Sequence, residues 1–251
     1  MSAQQSGTPL LQVAGVSKRF GGFVALDTVD FVVYPGERVG LIGPNGSGKS
    51  TLVNCITGTL RNEEGLIAFE GVDLTGMPAH RRIRRGLART FQIPKPFASM
   101  SVLDNLRIPL LYAAGRHDAG QRVSARESAD QAMEILTSVG LKTKAQEMSG
   151  GLTQVDMRKL ELARAIAVRP KLLISDEAMA GLSSSEVDDI LNLLSAMKER
   201  GIAVIMIEHI MRAVMRFSER VAVLVAGKKI ADGDPQSVIA NSDVQKAYLG
   251  E

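Results

Sequence analysis

The segment Gly43-Pro44-Asn45-Gly46-Ser47-Gly48-Lys49-Ser50-Thr51 carries the spacing G-x-x-x-x-G-K-[ST], and it lies between a short apolar run at 38–42 and a stretch at 51–56 able to continue as a helix. Strand, glycine turn, helix is the context in which that spacing cradles phosphate. Gly43, Gly46 and Gly48 let the backbone approach phosphate oxygens without a Cβ clash, so that successive N–H groups and the helix N-terminus point at the anion. Lys49 would reach the β- and γ-phosphates, and Ser50 would offer its hydroxyl to Mg²⁺. These residues predict a nucleoside triphosphate site.

A second chemical element is Leu172-Leu173-Ile174-Ser175-Asp176-Glu177, an apolar strand ending in two acids. In P-loop enzymes a strand-end Asp holds Mg²⁺, here Asp176, and a carboxylate just beyond it, here Glu177, can orient the attacking water. Taken alone, the same residues also describe a solvated acidic turn. A third element, Ser149-Gly150-Gly151, precedes a helical stretch and reads as a turn opening a helix, with N–H groups available to an anion. By itself it is also an ordinary loop.

Around these groups the chain changes character. Residues 10–42 and 65–73 hold short β-rich runs separated by Gly and Pro turns, which predicts an antiparallel sheet. From about residue 97 the pattern is helical, and Ser101 and Ser124 each precede an acid three residues on, Asp104 and Glu127. That helical block, about 97–165, is the candidate inserted subdomain. Leu172-Leu173-Ile174, a helix from Ser183 with Glu186 and the stripe Val187, Ile190, Leu191, Leu194, and then Ala203 to Ile207 read as strand, helix, strand. Continuous apolar strands alternating with helices predict a parallel sheet covered on both faces.

Composition narrows the class without selecting a function. With 251 residues, 45% apolar and 23% charged, the chain can bury a large core, and a net charge of +3 is too small to argue for nucleic acid. The single cysteine, Cys55, sits in the predicted helix after the glycine turn and is expected to pack. Residues 1–9 are polar, do not resemble a secretory signal, and are expected to form a flexible tail. No apolar run approaches the roughly 20 residues that span a bilayer. The run Ala79-His80-Arg81-Arg82-Ile83-Arg84-Arg85 reads as a solvated basic helix face, with anionic lipid or nucleic acid as the other possibility. His80 and His117 are expected at the surface.

Taken in order, the glycine-lysine loop, Gln92 in Thr90-Phe91-Gln92, Ser149 to Leu152, Asp176-Glu177, and His209 in Ile207-Glu208-His209 resemble the ATP-binding-cassette ATPases over about residues 10–250. The resemblance implies an α/β fold: a P-loop NTPase core with an antiparallel β subdomain and the inserted helical subdomain. It implies ATP and Mg²⁺ as cofactors, Gln92 as a metal and water contact, His209 as a γ-phosphate contact, and Phe20 stacked on adenine. It further implies a second ABC ATPase subunit, identical or not, whose Ser149, Gly150 and Gly151 complete each site. Within the family, Gly86 to Gln92, Ile207 to Met211 and Ala247-Tyr248-Leu249-Gly250 resemble the ATPase subunits of bacterial branched-chain and other hydrophobic amino-acid importers. That resemblance implies transmembrane permease subunits, an external solute-binding protein, no nucleic acid, and a place on the cytoplasmic face of the membrane.

Met148 and Leu152 stand where Leu and Gln are common in the family, Ala178 where Pro is, and Ser183 where Asp or Asn is. None of these departures removes a proposed catalytic group, although Leu152 loses a polar side chain expected near the opposing nucleotide. The rival reading is a nucleic-acid-associated or regulatory ATP switch, for which neither a second cassette nor a long coiled coil is visible.

Overall fold

The computed structural model describes residues 7–113 and 124–249. Residues 1–6 of the expected tail, His117 and Gly250 lie outside that range. The chain runs β1 (Leu11–Phe20), β2 (Phe23–Val33), β3 (Arg38–Ile42), α1 (Lys49–Thr57), β4 (Glu64–Phe69), β5 (Val72–Asp73) and α2 (Ala79–Arg84). It continues with β6 (Leu87–Arg89), α3 (Val102–Tyr112), α4 (Ala125–Ser138), α5 (Gln154–Ala167), β7 (Leu172–Asp176) and α6 (Ser184–Ser195). The last elements are β8 (Ala203–Ile207), α7 (Met211–Phe217), β9 (Arg220–Val225), β10 (Lys228–Gly233), α8 (Pro235–Ala240) and α9 (Ser242–Leu249). Two compact units result, Met1–Arg82 with Met197–Glu251, and Ile83–Ala196.

In the first unit, β1 pairs antiparallel with β2 and β4, and β4 with β5, in the order β2-β1-β4-β5. This is the antiparallel sheet the short β-rich runs predict. Leu11, Val13 and Val16 of β1 are buried while Gln12 between them is exposed, the alternation of a strand with one packed face. A second set of strands runs β10-β9-β3-β8, with β3 parallel to both β8 and β9. Every residue of β8 is buried, which is why its sequence is an unbroken apolar run. Ile42 at the end of β3 packs with Val214, Val221, Val223, Val238 and Val244, so the strand that launches the glycine loop is anchored in a core cluster.

One basic side chain departs from the solvated-face expectation. Arg82 is 5% exposed, and its guanidinium donates to the carbonyls of Cys55 and Ile56 at 2.8 Å each, and to those of Met77 and Leu74, also at 2.8 Å. The Cys55 and Ile56 carbonyls belong to the last turn of α1, where the helix has no internal donors left. Arg82 thus satisfies two carbonyls of the last turn of α1, beside the C-cap residue Gly58, and the run is not a uniform solvated face; His80 and Arg81 are exposed.

In the second unit, β6 and β7 pair in parallel with Leu87 opposite Leu172 and Arg89 opposite Ile174. Helices α3, α4 and α5 pack on one another, burying Leu106, Leu110, Leu136 and Leu160. Their starts follow the Ser-x-x-acid signals: the Ser101 hydroxyl accepts the Asp104 N–H at 3.0 Å, and Ser124 and Glu127 form a reciprocal capping box. At α6 the Ser183 N–H donates to Glu186 at 2.8 Å, and Val187, Ile190, Leu191 and Leu194 are all buried. Fully burying each such aliphatic is worth about 1.5–3 kcal/mol.

Candidate functional site

The glycine loop follows β3, and α1 begins at Lys49. A Cβ on Gly43 would lie 2.1 Å from the Leu224 carbonyl oxygen and 2.6 Å from the Ser47 hydroxyl, so only glycine fits there. Gly48 is the N-cap of α1 at φ 104°, and a Cβ on it would meet the Ala25 carbonyl at 2.6 Å. No side chain caps this helix, so its first N–H groups are presented to the loop. Lys49 is 7% exposed, and its ammonium donates to the Gly43 carbonyl at 2.7 Å and the Pro44 carbonyl at 2.9 Å. The loop thus brings together a buried ammonium, glycines with no room for a side chain and an uncapped helix start, the features that suit a site for an anion. Asn45 and Gly46 are exposed at its rim, Ser47 is buried, and Ser50 and Thr51 lie in the first turn of α1. The loop is braced from behind, where the Gly227 N–H donates to the Ser47 carbonyl at 3.0 Å. Helix α9 also reaches it: burial raises the pKa of the Tyr248 phenol, and the Gly43 amide partly offsets that rise.

The two acids lie in the second unit, at the C-terminal end of β7. Asp176 is 6% exposed; its Oδ2 accepts from Arg89 Nη2 at 2.6 Å, and its N–H donates to the Thr90 hydroxyl at 3.2 Å. Glu177 takes a positive φ of 47°, a rare conformation for a side chain of that size. Its carboxylate accepts a hydrogen bond from the Gln92 amide, so the structure brings Gln92 and Glu177 together.

Helix α5 holds the segment that carries Gln92. Glu161 accepts the Phe91 N–H at 2.5 Å, while Arg158 donates to the Gln92 carbonyl at 2.6 Å and to the Phe91 carbonyl at 3.3 Å. Both polar faces of the Phe91-Gln92 backbone are therefore gripped by one helix. Burial pushes the Glu161 carboxyl above its ordinary value, against the pull of the Phe91 N–H and of Arg158 and Arg164.

The Ser149–Gly151 turn differs from the expectation. It forms a single 3₁₀ turn, and α5 starts only at Gln154, with Thr153 as its N-cap and Asp156 in its first turn. The N–H groups of Ser149, Gly151 and Leu152 donate to Met100, Met148 and Ser149 carbonyls, so the turn does not open the helix with three unclaimed donors. Ser149 is fully buried, its hydroxyl donating to the Phe97 carbonyl at 2.9 Å and accepting from Asn105 at 3.2 Å. Leu152 is 8% exposed and packs inward, whereas Gly151 faces open space. In the first unit, Phe20 is 48% exposed beside Phe23, with the Lys18 ammonium 5.3 Å from its ring, so it is a surface aromatic rather than a core one. His209 is exposed, just past the end of β8.

Sequence reasoning misses Arg89, Arg158 and Glu161. The available signal is charge at positions whose neighbours are apolar: Arg89 closes the strand run Leu87-Ala88, and Glu161 sits between Leu160 and Leu162.

Residues 26–180 match the family described as ABC transporter, and residues 228–251 match that described as Branched-chain amino acid ATP-binding cassette transporter. The chain is 38% identical over 255 residues to the high-affinity branched-chain amino acid transport ATP-binding protein BraF of Pseudomonas aeruginosa, covering 97% of this chain and 98% of that protein. It is 36% identical over 251 residues to the corresponding protein LivG of Escherichia coli K12, with the same coverage of each. Among solved structures, a nucleotide-free ATP-binding cassette from an ABC transporter superposes with a TM-score of 0.83 at 32% identity, covering 97% of this chain and 100% of that one. The ADP conformation of the cassette MJ1267 gives the same score and identity over 98% and 100%. The family match over residues 26–180 and similarity along the whole chain agree, and the chain belongs to the ABC transporter family as a nucleotide-binding ATPase cassette.

Proposed function

We propose that this chain is the ATP-hydrolysing motor subunit of an importer for branched-chain or related hydrophobic amino acids. The observation that carries the reading is the 38% identity to a branched-chain amino acid transport ATP-binding protein over 97% of the chain. Residues 10–250 then act as one ATPase domain, with the helical block about 97–165 as its inserted subdomain. Gly43 to Thr51 bind the phosphates, Lys49 carries charge to the γ-phosphate, and Phe20 stacks on adenine, a contact worth about 1–3 kcal/mol.

Asp176 would supply the carboxylate that Mg²⁺ takes, the Ser50 hydroxyl and the Gln92 amide oxygen are hard donors of the kind it also accepts, and phosphate and water would complete its octahedral shell. When bound it supplies charge neutralisation at the β- and γ-oxygens. Glu177 orients the attacking water and takes its proton, with Gln92 holding the carboxylate in line. His209 contacts the γ-phosphate. Ser149, Gly150 and Gly151 from a second copy close the site, their backbone lying against the phosphates.

Among the described residues no helix is long and apolar enough to cross a membrane. On the proposed reading the motor works against transmembrane permease subunits, at the cytoplasmic face of the membrane, with an external solute-binding protein delivering the amino acid.

Two measurements test this reading. Glu177→Gln should keep nucleotide affinity while lowering single-turnover hydrolysis by about 10²–10⁴, the scale of a lost general base. In proteoliposomes holding the chain with its copurified permeases, leucine-loaded solute-binding protein should stimulate hydrolysis. Wild-type turnover in the variant would remove Glu177 from the role, and no stimulation by any hydrophobic amino acid would overturn the substrate class.

A further inference from the structure

We propose that Arg89 competes with the divalent cation for Asp176, and that this exchange carries metal occupancy to Phe91 and the Gln92 segment. The inference rests on the reading that Asp176 holds the metal. Arg89 Nη2 lies 2.6 Å from Asp176 Oδ2, with the two side chains only 14% and 9% exposed. The same guanidinium stands 5.4 Å from the centre of the Phe91 ring. One cation therefore touches the strand-end acid and the residue immediately before Gln92.

The Asp176 backbone is held in place, so the exchange falls to the side chains. Its N–H is held by the Thr90 hydroxyl at 3.2 Å, and the Thr90 N–H donates to Ile174 at 2.9 Å, which locks β6 and β7 in register. A Mg²⁺ ion bound to Asp176 at about 2.0–2.1 Å would stand within a few ångströms of the guanidinium, and two cations that close in a partly buried site repel strongly. On this proposal Arg89 gives up the carboxylate as the metal arrives. Its retreat changes the cation facing Phe91, a half-exposed ring whose backbone Glu161 and Arg158 fix at both polar groups. The ring can respond while the main chain stays gripped. Arg89 is thus a positioning residue: it neutralises Asp176 and makes metal binding an exchange rather than a simple addition.

The test uses ADP, so no hydrolysis enters. In the full chain at saturating ADP, Mg²⁺ is titrated while thermal stability is followed. Arg89→Gln removes the competitor and should lower the Mg²⁺ midpoint by about tenfold, the effect of roughly 1.4 kcal/mol. A midpoint within twofold of wild type, or higher, overturns the proposal. Asp176→Asn separates the two readings: if it keeps the wild-type midpoint, the metal is not at Asp176 and both fall. If only Arg89→Gln fails to shift the midpoint, the metal site stands and the exchange does not.

Should Arg89→Gln not fold, Arg89→Lys keeps the charge but loses the planar fork, and a smaller shift in the same direction is expected. The chain has no Trp, so Phe91→Trp supplies a single tryptophan, excited selectively over the three tyrosines, beside the guanidinium. Its emission should change when Mg²⁺ is added to the ADP-bound chain and stay unchanged with ADP in EDTA. Emission indifferent to Mg²⁺ over the range where stability responds overturns the relay to Phe91.

Discussion

Among single residues, Glu161 is where burial and function conflict most directly. An ionised carboxylate pays for leaving water, so the folded chain raises its pKa, with burial as the main cause and Arg158, Arg164 and the Phe91 N–H opposing it. A group whose folded pKa is raised contributes stability that is fully present below the ordinary carboxylate range and is lost as pH rises through its shifted value. Glu161→Gln keeps an acceptor for Phe91 but cannot ionise. Relative to wild type, the variant should therefore gain thermal stability on moving from pH 4 to pH 8, by roughly 2–4 °C for each kcal/mol involved. Parallel Tm-versus-pH curves for the two proteins would show that Glu161 does not titrate between the folded and unfolded states as described.

At the scale of elements, helix α1 is defined by what stands at its two ends. Its start has no side-chain cap and follows the glycine loop; at its end Arg82 donates to the Cys55 and Ile56 carbonyls of the helix and ties them to Met77 and Leu74. A cation at the C-terminus also complements the helix dipole. Arg82→Leu would take the guanidinium from the buried Cys55 and Ile56 carbonyls and the part-buried Met77 carbonyl, each costing about 1–3 kcal/mol, whereas Leu74 keeps the Met77 N–H. Chemical denaturation should show a loss of at least about 3 kcal/mol, with Arg82→Lys intermediate because a single ammonium cannot span the same carbonyls. A change below about 1 kcal/mol, the scale of one ordinary hydrogen bond, would mean that α1 is held by its packing alone. Gly58 belongs to this arrangement, since a Cβ there would lie 2.6 Å from Arg82 Nε.

For the whole molecule the question is whether a second copy completes the nucleotide site. Ser149 is an unsuitable probe, because its hydroxyl is buried and bonded to Phe97 and Asn105, so that replacing it would damage the unit that carries it. A Cβ on Gly151 would meet nothing within 4 Å, and its φ is open to other residues, so a side chain there should leave the fold intact. In a Glu177→Gln background, ATP should drive a dimer visible by size-exclusion chromatography with light scattering. Adding Gly151→Arg should abolish that dimer while leaving ATP affinity within about twofold, because the bulky cation blocks close backbone approach rather than the cradle itself. An ATP-dependent dimer indifferent to Gly151→Arg would sink the composite site and return weight to the regulatory switch.

What the sequence by itself determined is local. The glycine loop and the start of α1 follow from residues within about ten positions of one another, because positive φ, N-terminal donors and a following apolar helix are short-range properties. The capping signals at Ser101 and Ser124, the apolar start of β7 at Leu172 to Ile174 and the unbroken apolar run of β8 are of the same kind. The tertiary structure alone decided where long polar side chains end. Arg89 meets Asp176 across 87 positions, the Ser149 hydroxyl turns to Phe97 across 52, and Arg82 donates to the end of a helix 26 positions away. Such partners are chosen by which buried acceptors the packed chain leaves without donors, and a flexible charged side chain can reach many of them. No spacing along the chain encodes that choice, since it is settled by the desolvation cost of every unpaired group once the core has closed.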